Sequence, residues 1–346
     1  MIHVDGARGE GGGQVLRSAL ALSILTGKAM RVTNIRARRP KPGLMAQHLK
    51  AVEAAAAVAQ AAVDGARLGS QTLTFEPRGI RHGDFHFDIG TAGAASLVVQ
   101  TVVVPLSAAG GASSLTVTGG THVPWSPCFD YLDLHWLRYM RRIGFDIDLT
   151  LDVAGFYPRG GGRVRAGVRP ATALSPLRLI ERGNLQRIRG ISGVANLDVS
   201  VGERQRRQAL LRLAGRSADV AIQVVRLPAH SPGTVLLLLA EFEGSQCCYF
   251  ALGARGKPAE RVADEAADAL DAFLATDAAV DEHLADQLIL PLAGAGGVSE
   301  LRTAKVTQHL LTNAEVVRMF LPVEITVRGE IGAPGALRIE RRGGDR

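Results

Sequence analysis

The residues with the clearest chemical potential lie in the segment KVTQHLLTNAEVVRMF, residues 305–320. Thr312 and Glu315 have the spacing of a capping box, which predicts a helix with Thr312 as N-cap and Glu315 as its third residue. His309 would then lie three residues before that helix, in the entering loop. The positive end of a helix dipole disfavours a charged imidazole but attracts a phosphate. The pattern therefore indicates a neutral imidazole, a candidate nucleophile, beside a phosphate site.

Two further segments have side chains suited to phosphate. In GARGEGGGQVLR, residues 6–17, the spacing of Glu10, Gln14 and Arg17 predicts that they share one helix face. The glycines of this segment do not form a P-loop, because the Lys-Ser/Thr pair is missing. The segment RVTNIRARRPKPG, residues 31–43, is rich in arginine, whose planar fork suits phosphate oxygens. A solvated basic loop is the alternative for the second segment.

Other catalytic chemistries are disfavoured. His82, Asp84, His86 and Asp88 alternate in RHGDFHFD, but residues two apart on a strand are ~6.6 Å apart, too far to converge on one metal ion. An amphipathic strand with a solvated polar side is the preferred interpretation. The three cysteines form no CxxC pair, so neither a zinc site nor a disulfide framework is expected. A G-x-S-x-G nucleophile elbow is also missing.

Charge and hydropathy limit the partners and the compartment. The chain of 346 residues has a net charge of +7 and a pI near 9.8. This balance favours a polyanionic partner or phosphorylated substrate, although an arginine-rich proteome explains it equally well. The N-terminal MIHVDGARGE lacks the basic and apolar regions of a signal peptide, and the apolar runs are too short to span a bilayer. We therefore expect a cytoplasmic protein without a membrane partner.

An internal repeat organises the chain. Residues 105–115, PLSAAGGASSL, and residues 291–301, PLAGAGGVSEL, share one pattern at an offset of 186 residues. Each copy follows an apolar run and precedes a strand-like segment, a threonine-containing loop and an amphipathic helix. A weaker copy begins at LRSALALSILTGKAMRV. The pattern predicts three related units, each built as helix, glycine turn, strand, loop and helix.

Extra sequence separates the second and third copies. Its alternating helix and strand patterns predict a smaller α/β domain inserted at residues 181–276. Residues 1–180 would then hold the first two repeat units, and residues 277–346 the third unit with His309. The predicted fold class is α/β, of the α+β type.

Six ordered motifs resemble the RNA 3′-terminal phosphate cyclase family, nearly from end to end: EGGGQVLRSALALSILTGK, RARRPKPGLMAQHL, DIGTAGAASLVVQT, GFYPRGGG, HLADQLILPLA and TQHLLTNAEVV. The resemblance implies three repeats similar to the C-terminal domain of a translation initiation factor, plus a small inserted α/β domain.

The resemblance also implies an ATP-dependent reaction. His309 of the T-x-H-x-x-T-N motif would attack the α-phosphate of ATP, giving a covalent histidine–AMP intermediate and releasing pyrophosphate. AMP would pass to the 3′-phosphate end of an RNA, giving RNA–ppA, and the adjacent 2′-hydroxyl would close a 2′,3′-cyclic phosphate. A divalent cation, Mg²⁺ or Mn²⁺, would offset phosphate charge. The need for a 2′-hydroxyl selects RNA and excludes a DNA groove reader.

The same motifs assign roles to further residues. Glu10 matches a metal-associated position. The positions matched to the phosphate or the RNA end are Arg17, Arg36, Arg39, Gln47 and His48. The positions matched to ATP are Gln100, Pro127, His283, Leu284, Ala285, Asp286 and Gln287. His283 stands where an aromatic residue is expected, so base stacking there would place imidazole on purine. The repeat aligns Gln100 with Asp286, so that two units would hold one nucleotide.

Three alternatives remain open. Noncatalytic relatives that act in ribosome assembly share the fold but lack the nucleophilic histidine, which is present here as His309. Enolpyruvyl transferases have similar repeated α/β units, although the T-x-H-x-x-T-N setting and the basic charge disfavour that activity. Adenylation of polynucleotide ends, including 5′-phosphates, is the third alternative.

Overall fold

The computed structural model describes residues 1–215 and 219–341, and these ranges form a mixed α/β structure with four four-stranded sheets. The first sheet has the order β1-β2-β4-β3. Its segment comprises β1 Ile2–Asp5, α1 Gly13–Thr26, β2 Met30–Thr33, α2 Ala46–Ala59, β3 Ala62–Asp64 and β4 Leu73–Glu76. β1 and β2 are parallel, whereas the other two pairings are antiparallel.

The second sheet has the order β5-β6-β8-β7. Its segment comprises β5 Asp84–Asp88, α3 Ala95–Leu106, β6 Ser113–Gly119, α4 Phe129–Tyr131, a π-helical stretch Leu132–Trp136, α5 Leu137–Ile143, β7 Asp146–Val153 and β8 Gly162–Arg169. On β5 the side chains of Asp84, His86 and Asp88 are exposed while Phe85 is buried. This confirms an amphipathic strand with a solvated polar side; His82 precedes the strand.

The next segment forms a sheet of its own, in the order β11-β10-β12-β13. After the short β9, Arg178–Leu179, it comprises β10 Leu185–Ala195, α6 Val199–Leu213, β11 Val220–Arg226, β12 Gly233–Phe242, β13 Gln246–Leu252 and α7 Ala259–Leu274. All of these elements except β9 were predicted from the sequence. α6 and α7 pack on one face of this sheet. Leu237, Leu239 and Cys248, on strands β12 and β13, join the main core of the protein.

The last sheet has the order β15-β16-β14-β9. Its segment comprises α8 Glu282–Ala293, β14 Val298–Thr303, α9 Gln308–Phe320, β15 Val323–Arg328 and β16 Gly335–Arg341. The first, second and fourth sheets each contain one parallel pair followed by two antiparallel pairings. In each, a helix precedes and another follows the inner strand of the parallel pair. The predicted domain limits at 180 and 276 stay predictions, and the predicted end at 346 lies outside the described residues.

The helices of the first and last segments meet in one core. α1 packs against α2, α3 and α9, and α9 also packs against α8. These contacts bring together the N-terminal glycine-rich segment and the last helix, which are about 300 residues apart in sequence. Every helix in the described ranges is too short or too polar to cross a bilayer.

Candidate active site

His309 is the second residue of α9, in its first turn. The predicted start at Thr312 is wrong, because the N-cap is Thr307, whose Oγ1 accepts a hydrogen bond from Leu310 N at 3.0 Å. Thr312 instead lies within the helix and donates to Gln308 O at 2.7 Å. The imidazole therefore occupies the helix N-terminus itself, where the dipole favours an anion.

Gln14 of α1 fixes the position of the proton on His309. Gln14 Nε2 donates to Asp286 Oδ1 at 2.5 Å, so its Oε1 is the acceptor that faces the imidazole. This oxygen lies 2.6 Å from His309 Nδ1, which must therefore carry a proton. In the neutral imidazole the lone pair is then on Nε2. The hydrogen-bond relay from Asp286 through Gln14 thus leaves Nε2 as the ring nitrogen with a lone pair available to a ligand.

Glu10 and Arg39 lie on the Nε2 side of the ring. Glu10 Oε2 is 3.0 Å from His309 Nε2, and Arg39 Nη2 donates to the same oxygen at 3.2 Å. All three side chains are about half-exposed. A carboxylate at this distance can take the proton from a charged imidazole and so restore the nucleophile. The surrounding cleft is lined by Arg8, Glu10, Gly12, Gln14, Val15, His309 and Thr312.

Asp286 of α8 is held by a second set of bonds. Asn313 Nδ2 donates to Asp286 Oδ1 at 3.1 Å and to its backbone oxygen at 2.9 Å. Ser18 Oγ in turn donates to Asn313 Oδ1 at 2.7 Å. Burial raises the pKa of Asp286, and the neighbouring His309 charge and the amide hydrogen bonds oppose that rise. Helices α1, α8 and α9 are therefore joined by hydrogen bonds beside His309.

Close packing explains two glycines at the start of α1. Gly9 has a φ of +56°, and a Cβ there would lie 2.0 Å from Thr312 Oγ1. A Cβ on Gly13 would lie 2.2 Å from His48 Nε2. The N-cap of α1 is Gly12, which has no side chain to satisfy the first-turn amides. The start of α1 is therefore open to an anion.

Arg17 and His48 lie behind this helix start. Burial lowers the pKa of Arg17 to about 10, although nearby Asp286 favours the charged form, so Arg17 stays charged at neutral pH. Burial lowers the pKa of His48 to about 3, and the charges of Arg17 and Arg36 add to this effect. His48 Nδ1 accepts from Met45 N at 3.3 Å, which leaves Nε2–H as a neutral donor beside Gly13.

Arg36 and Gln47 make structural bonds in the same region. Arg36, at φ +55°, donates to the backbone oxygens of Lys41 at 2.6 Å and Gly43 at 3.0 Å. Gln47 Oε1 accepts from Ala94 N, the N-cap residue of α3, at 2.9 Å. Both side chains thus hold loops at the edge of the site, and part of their hydrogen-bonding capacity is already used.

The α8 residues matched to ATP divide into two groups. His283 is exposed in the first turn, and Gln287 accepts from Gln100 Nε2 of α3 at 3.1 Å, next to Asp286. Leu284 and Ala285 are fully buried, so their side chains face the core and only their backbone is left for a ligand. The structure therefore brings Gln100 of α3 against α8, beside the residue that the repeat aligns with it.

Pro127 lies apart from the His309 relay, in the loop that leads from β6 to α4. The element that follows reaches α8, because Tyr131 Oη donates to Asp281 Oδ1 at 3.2 Å and His135 Nε2 lies 2.6 Å from Asp281 Oδ2. Asp281 is the N-cap of α8. Pro127 is thus connected to the start of the helix that carries His283 and Asp286.

Two places have side chains that could bind a metal ion: the cleft at Glu10, and the group of His122, Cys128 and Asp130. Glu10 is a single carboxylate in the cleft, so a divalent cation there would take most of its oxygen ligands from phosphate and water, as Mg²⁺ often does. His122, Cys128 and Asp130 are the one larger group of candidate ligands in the described ranges. Both ring nitrogens of His122 are already engaged, with Thr121 Oγ1 and Asp130 Oδ2, each at 2.7 Å. This second group is therefore better explained as a hydrogen-bonded anchor for its loop.

Sequence reasoning missed two members of the relay. Asn313 lies four residues after His309 and Ser18 four after Gln14, which are helical neighbour spacings that could have suggested a shared role. For Gln14, the sequence predicts only a helix face shared with Glu10 and Arg17. That face is not formed as predicted, because α1 begins at Gly13 and Glu10 lies before it.

Comparison with known proteins identifies the family of this chain. Residues 8–327 match the family model described as RNA 3′-terminal phosphate cyclase. Curated relatives with that name include proteins from Archaeoglobus fulgidus (46% identical, covering 95% of this chain and 98% of the relative), Methylococcus capsulatus (45%, 98% and 96%) and Ralstonia nicotianae (48%, 95% and 94%).

Among solved structures, the enolpyruvyl transferase NikO from Streptomyces tendae is similar. The match covers 99% of this chain and 48% of the NikO chain. The identity is 12% and the TM-score 0.40, too low to bear on function. With the family model and the curated relatives spanning nearly the whole chain, this protein belongs to the RNA 3′-terminal phosphate cyclase family.

Proposed function

We propose that this protein converts the 3′-terminal phosphate of RNA into a 2′,3′-cyclic phosphate at the expense of ATP, with His309 as the nucleophile. The activity for which the relatives are named supports the overall reaction. The main support for the role of His309 is its hydrogen bond to Gln14. The amide nitrogen of Gln14 donates to Asp286, so the amide oxygen is the atom that accepts from Nδ1. A neutral imidazole with Nε2 free is the form that attacks phosphorus.

In the first step, His309 Nε2 forms a bond to the α-phosphorus of ATP while the bond to the bridging oxygen of pyrophosphate breaks. Nδ1–H remains bonded to Gln14, which stabilises the positive charge that develops on the ring. In the second step, an oxygen of the RNA 3′-phosphate attacks the same phosphorus, the N–P bond breaks, and RNA–ppA forms. In the third, the 2′-hydroxyl attacks the 3′-phosphorus and AMP leaves.

Charges and donors near the nucleophile suit this sequence of steps. The open start of α1, the Arg39 guanidinium and the neutral Nε2–H of His48 offer donors to phosphate oxygens. Buried Arg17 adds a fixed positive charge. Arg36 and Gln47 would act mainly by holding their loops, since their side chains already bond to backbone groups.

For ATP, we assign the nucleotide to the α8 side of the cleft. Asp286, Gln287, Gln100 and His283 are accessible there, the backbone of Leu284 and Ala285 completes the turn, and Pro127 is the proposed contact on the adenine side. Glu10 is the proposed protein ligand for Mg²⁺ or Mn²⁺, which would offset phosphate charge when bound.

The overall reaction can be tested with an RNA oligonucleotide that ends in a 3′-phosphate. Incubation with ATP and Mg²⁺ is expected to make that end resistant to phosphatase, and His309→Ala is expected to abolish the conversion. The same RNA with a 2′-deoxy terminal nucleotide should stop at the adenylylated end. Cyclisation without ATP, or cyclisation by folded His309→Ala, would refute the proposal.

A further inference from the structure

Two aromatic side chains are exposed on neighbouring loops outside the His309 cleft. Trp125, between β6 and α4, is 100% exposed, and Tyr157, between β7 and β8, is 71% exposed. Neither ring makes an aromatic contact or a cation–π contact with the described residues. Trp125 also has a φ of +64°, a conformation that a bulky residue rarely adopts. The ring is thus presented to solvent without any packing gain.

The two loops are firmly joined to each other. The backbone amides of Thr121 and His122 both donate to Gly155 O, at 2.9 and 3.0 Å, and the His122 ring stacks on Phe156 with centroids 5.0 Å apart. His122 is also held by Thr121 and Asp130. These bonds fix the loop that carries Trp125 against the loop that carries Tyr157, so the rings stand on a rigid base.

Two exposed arginines follow Tyr157 in the chain. Arg159, two residues after Tyr157, and Arg163, at the start of β8, form no ion pair with a residue in the described ranges, although the groove lined by Arg163 also contains Asp88 and Asp152. The one hydrogen bond of the Arg159 guanidinium is a long contact of 3.5 Å to His230 O. Most other arginines of this region are neutralised: Arg165 pairs with Asp152, and Arg169 with Asp146 and Asp148. Unpaired guanidinium groups beside exposed aromatic rings suit phosphates and unpaired bases.

A continuous path of contacts leads from this surface to the nucleophile. Gly160 packs so closely on Ala92 that a Cβ would lie 2.7 Å from its Cα. The next residues, Gly93 and Ala94, contact Gln47, which adjoins His48. His48 lies against Gly13, next to Gln14 and so to His309.

We propose that Trp125 and Tyr157 form a stacking platform for the unpaired nucleotides that precede the 3′-phosphate of the RNA substrate, with Arg159 and Arg163 contacting their backbone. The proposal rests on the proposed function, because it takes the RNA end to be the group that reaches His309. Stacking on aromatic rings tolerates any base sequence but requires the bases to be unpaired. The platform therefore selects single-stranded 3′ ends without selecting their sequence.

Intrinsic fluorescence gives a direct binding test. The protein has two tryptophans, and Trp136 is buried, so a surface ligand reaches Trp125 alone. Titration with a single-stranded decamer that ends in a 3′-phosphate is expected to quench the Trp125 emission, and a duplex with a blunt, paired end is expected to quench it much less. Trp125→Phe gives the baseline from Trp136.

Turnover of the same RNA tests the functional role. Trp125→Ala and Tyr157→Ala are each expected to raise the KM for RNA by about 5- to 100-fold, the range of one lost base stack, with the KM for ATP little changed. Trp125→Phe should recover most of the affinity. Leu211→Ala, which removes an equally exposed apolar side chain from α6, is the control and should match the wild type.

The outcomes separate the platform from the proposed function. Unchanged RNA affinity in both alanine variants, or no quenching by single-stranded RNA, would overturn the platform while leaving adenylylation of His309 intact. A rise in the KM for ATP but not for RNA would also overturn the platform. Such a result would indicate that Trp125 contacts the adenine of ATP, because Trp125 is two residues from Pro127. Failure of ATP labelling with normal RNA quenching would instead refute the proposed reaction and retain the RNA surface.

Discussion

Gln14 Oε1 lies 2.6 Å from His309 Nδ1, although the two residues are 295 positions apart in sequence. Gln14 cannot reverse its amide without losing its hydrogen bond to Asp286, since a carboxylate offers no proton in its ionised form. The protonation of the two His309 nitrogens is therefore set by a neighbouring helix, and the proposed chemistry at α9 depends on how α1 and α8 pack against it.

Replacing Gln14 with alanine is expected to slow adenylylation of His309 by about 10- to 100-fold, the value of one hydrogen bond to a charged group. The imidazole would lose the acceptor that holds its proton on Nδ1. Single-turnover labelling with ATP measures the rate. Gln223→Ala, which removes an exposed glutamine from β11, is the matched control. An unchanged rate in Gln14→Ala would show that the ring needs no such orientation.

Glu10→Ala is expected to raise the Mg²⁺ concentration that gives half-maximal activity by about tenfold, because the cleft would lose its carboxylate ligand. The measurement is activity against Mg²⁺ concentration at fixed ATP. Glu53→Ala removes an exposed carboxylate that pairs with Lys50 and serves as control. If Glu10→Ala loses activity equally at every Mg²⁺ concentration, Glu10 acts on the His309 proton and not on a metal.

The buried pair of Asp281 and His135 is expected to be important for stability. Asp281 Oδ1 accepts from the amides of His283 and Leu284 and from Tyr131 Oη, and Oδ2 faces His135. Burial would raise the pKa of Asp281, but the His135 charge and these donors hold it below its ordinary value. Asp281→Ala should lower the free energy of unfolding by about 3–5 kcal/mol.

The exposed ion pair of Asp277 and Arg302, nearby on the chain, provides the control for that experiment. Asp277→Ala should cost less than about 1 kcal/mol, because solvent screens the pair. Urea denaturation of both variants makes the comparison. Equal losses would show that the Asp281 network contributes no more than a surface contact.

His48 should make stability depend on pH. Its pKa is about 3 in the folded protein and ordinarily near 6.5, so between these values the unfolded chain binds a proton that the folded chain does not. Folding stability must then fall as the pH drops below about 6.5, by up to ~1.4 kcal/mol per pH unit. His48→Asn should flatten this dependence between pH 6.5 and 4.5 in urea denaturation. His86→Asn, at an exposed histidine, should not.

Local patterns in the sequence predicted some features well. The sequence patterns from Leu185 to Leu274 predicted an alternation of helices and strands, and the structure has it, with α6 and α7 packed on one face of the sheet. The local sequence of α6 does not show how its four arginines are paired. Arg204 pairs with Glu260, and Arg212 with three aspartates of α7, so a helix about 55 residues away neutralises two of the four.

The start of α9 shows why local motifs can mislead. The capping box of Thr312 and Glu315 predicts a helix that begins at Thr312, whereas the helix is capped by Thr307. The earlier start buries Leu310 completely and lets Asn313 reach Asp286. Packing against α8 therefore decides between two local signals. The hydrogen bond between Gln14 and His309 also depends on helix packing, because it joins α1 to α9. The local sequence around either residue therefore does not predict it.

Whether His309 carries AMP is tested most directly with ATP labelled at its α-phosphate. Wild-type protein incubated with this ATP and Mg²⁺, then denatured, is expected to retain label that is lost in acid, as a phosphoramidate is. His309→Ala should retain none, and addition of 3′-phosphorylated RNA should discharge the label from the wild type. Folded wild-type protein that takes up no label, or label that persists in His309→Ala, would contradict the account.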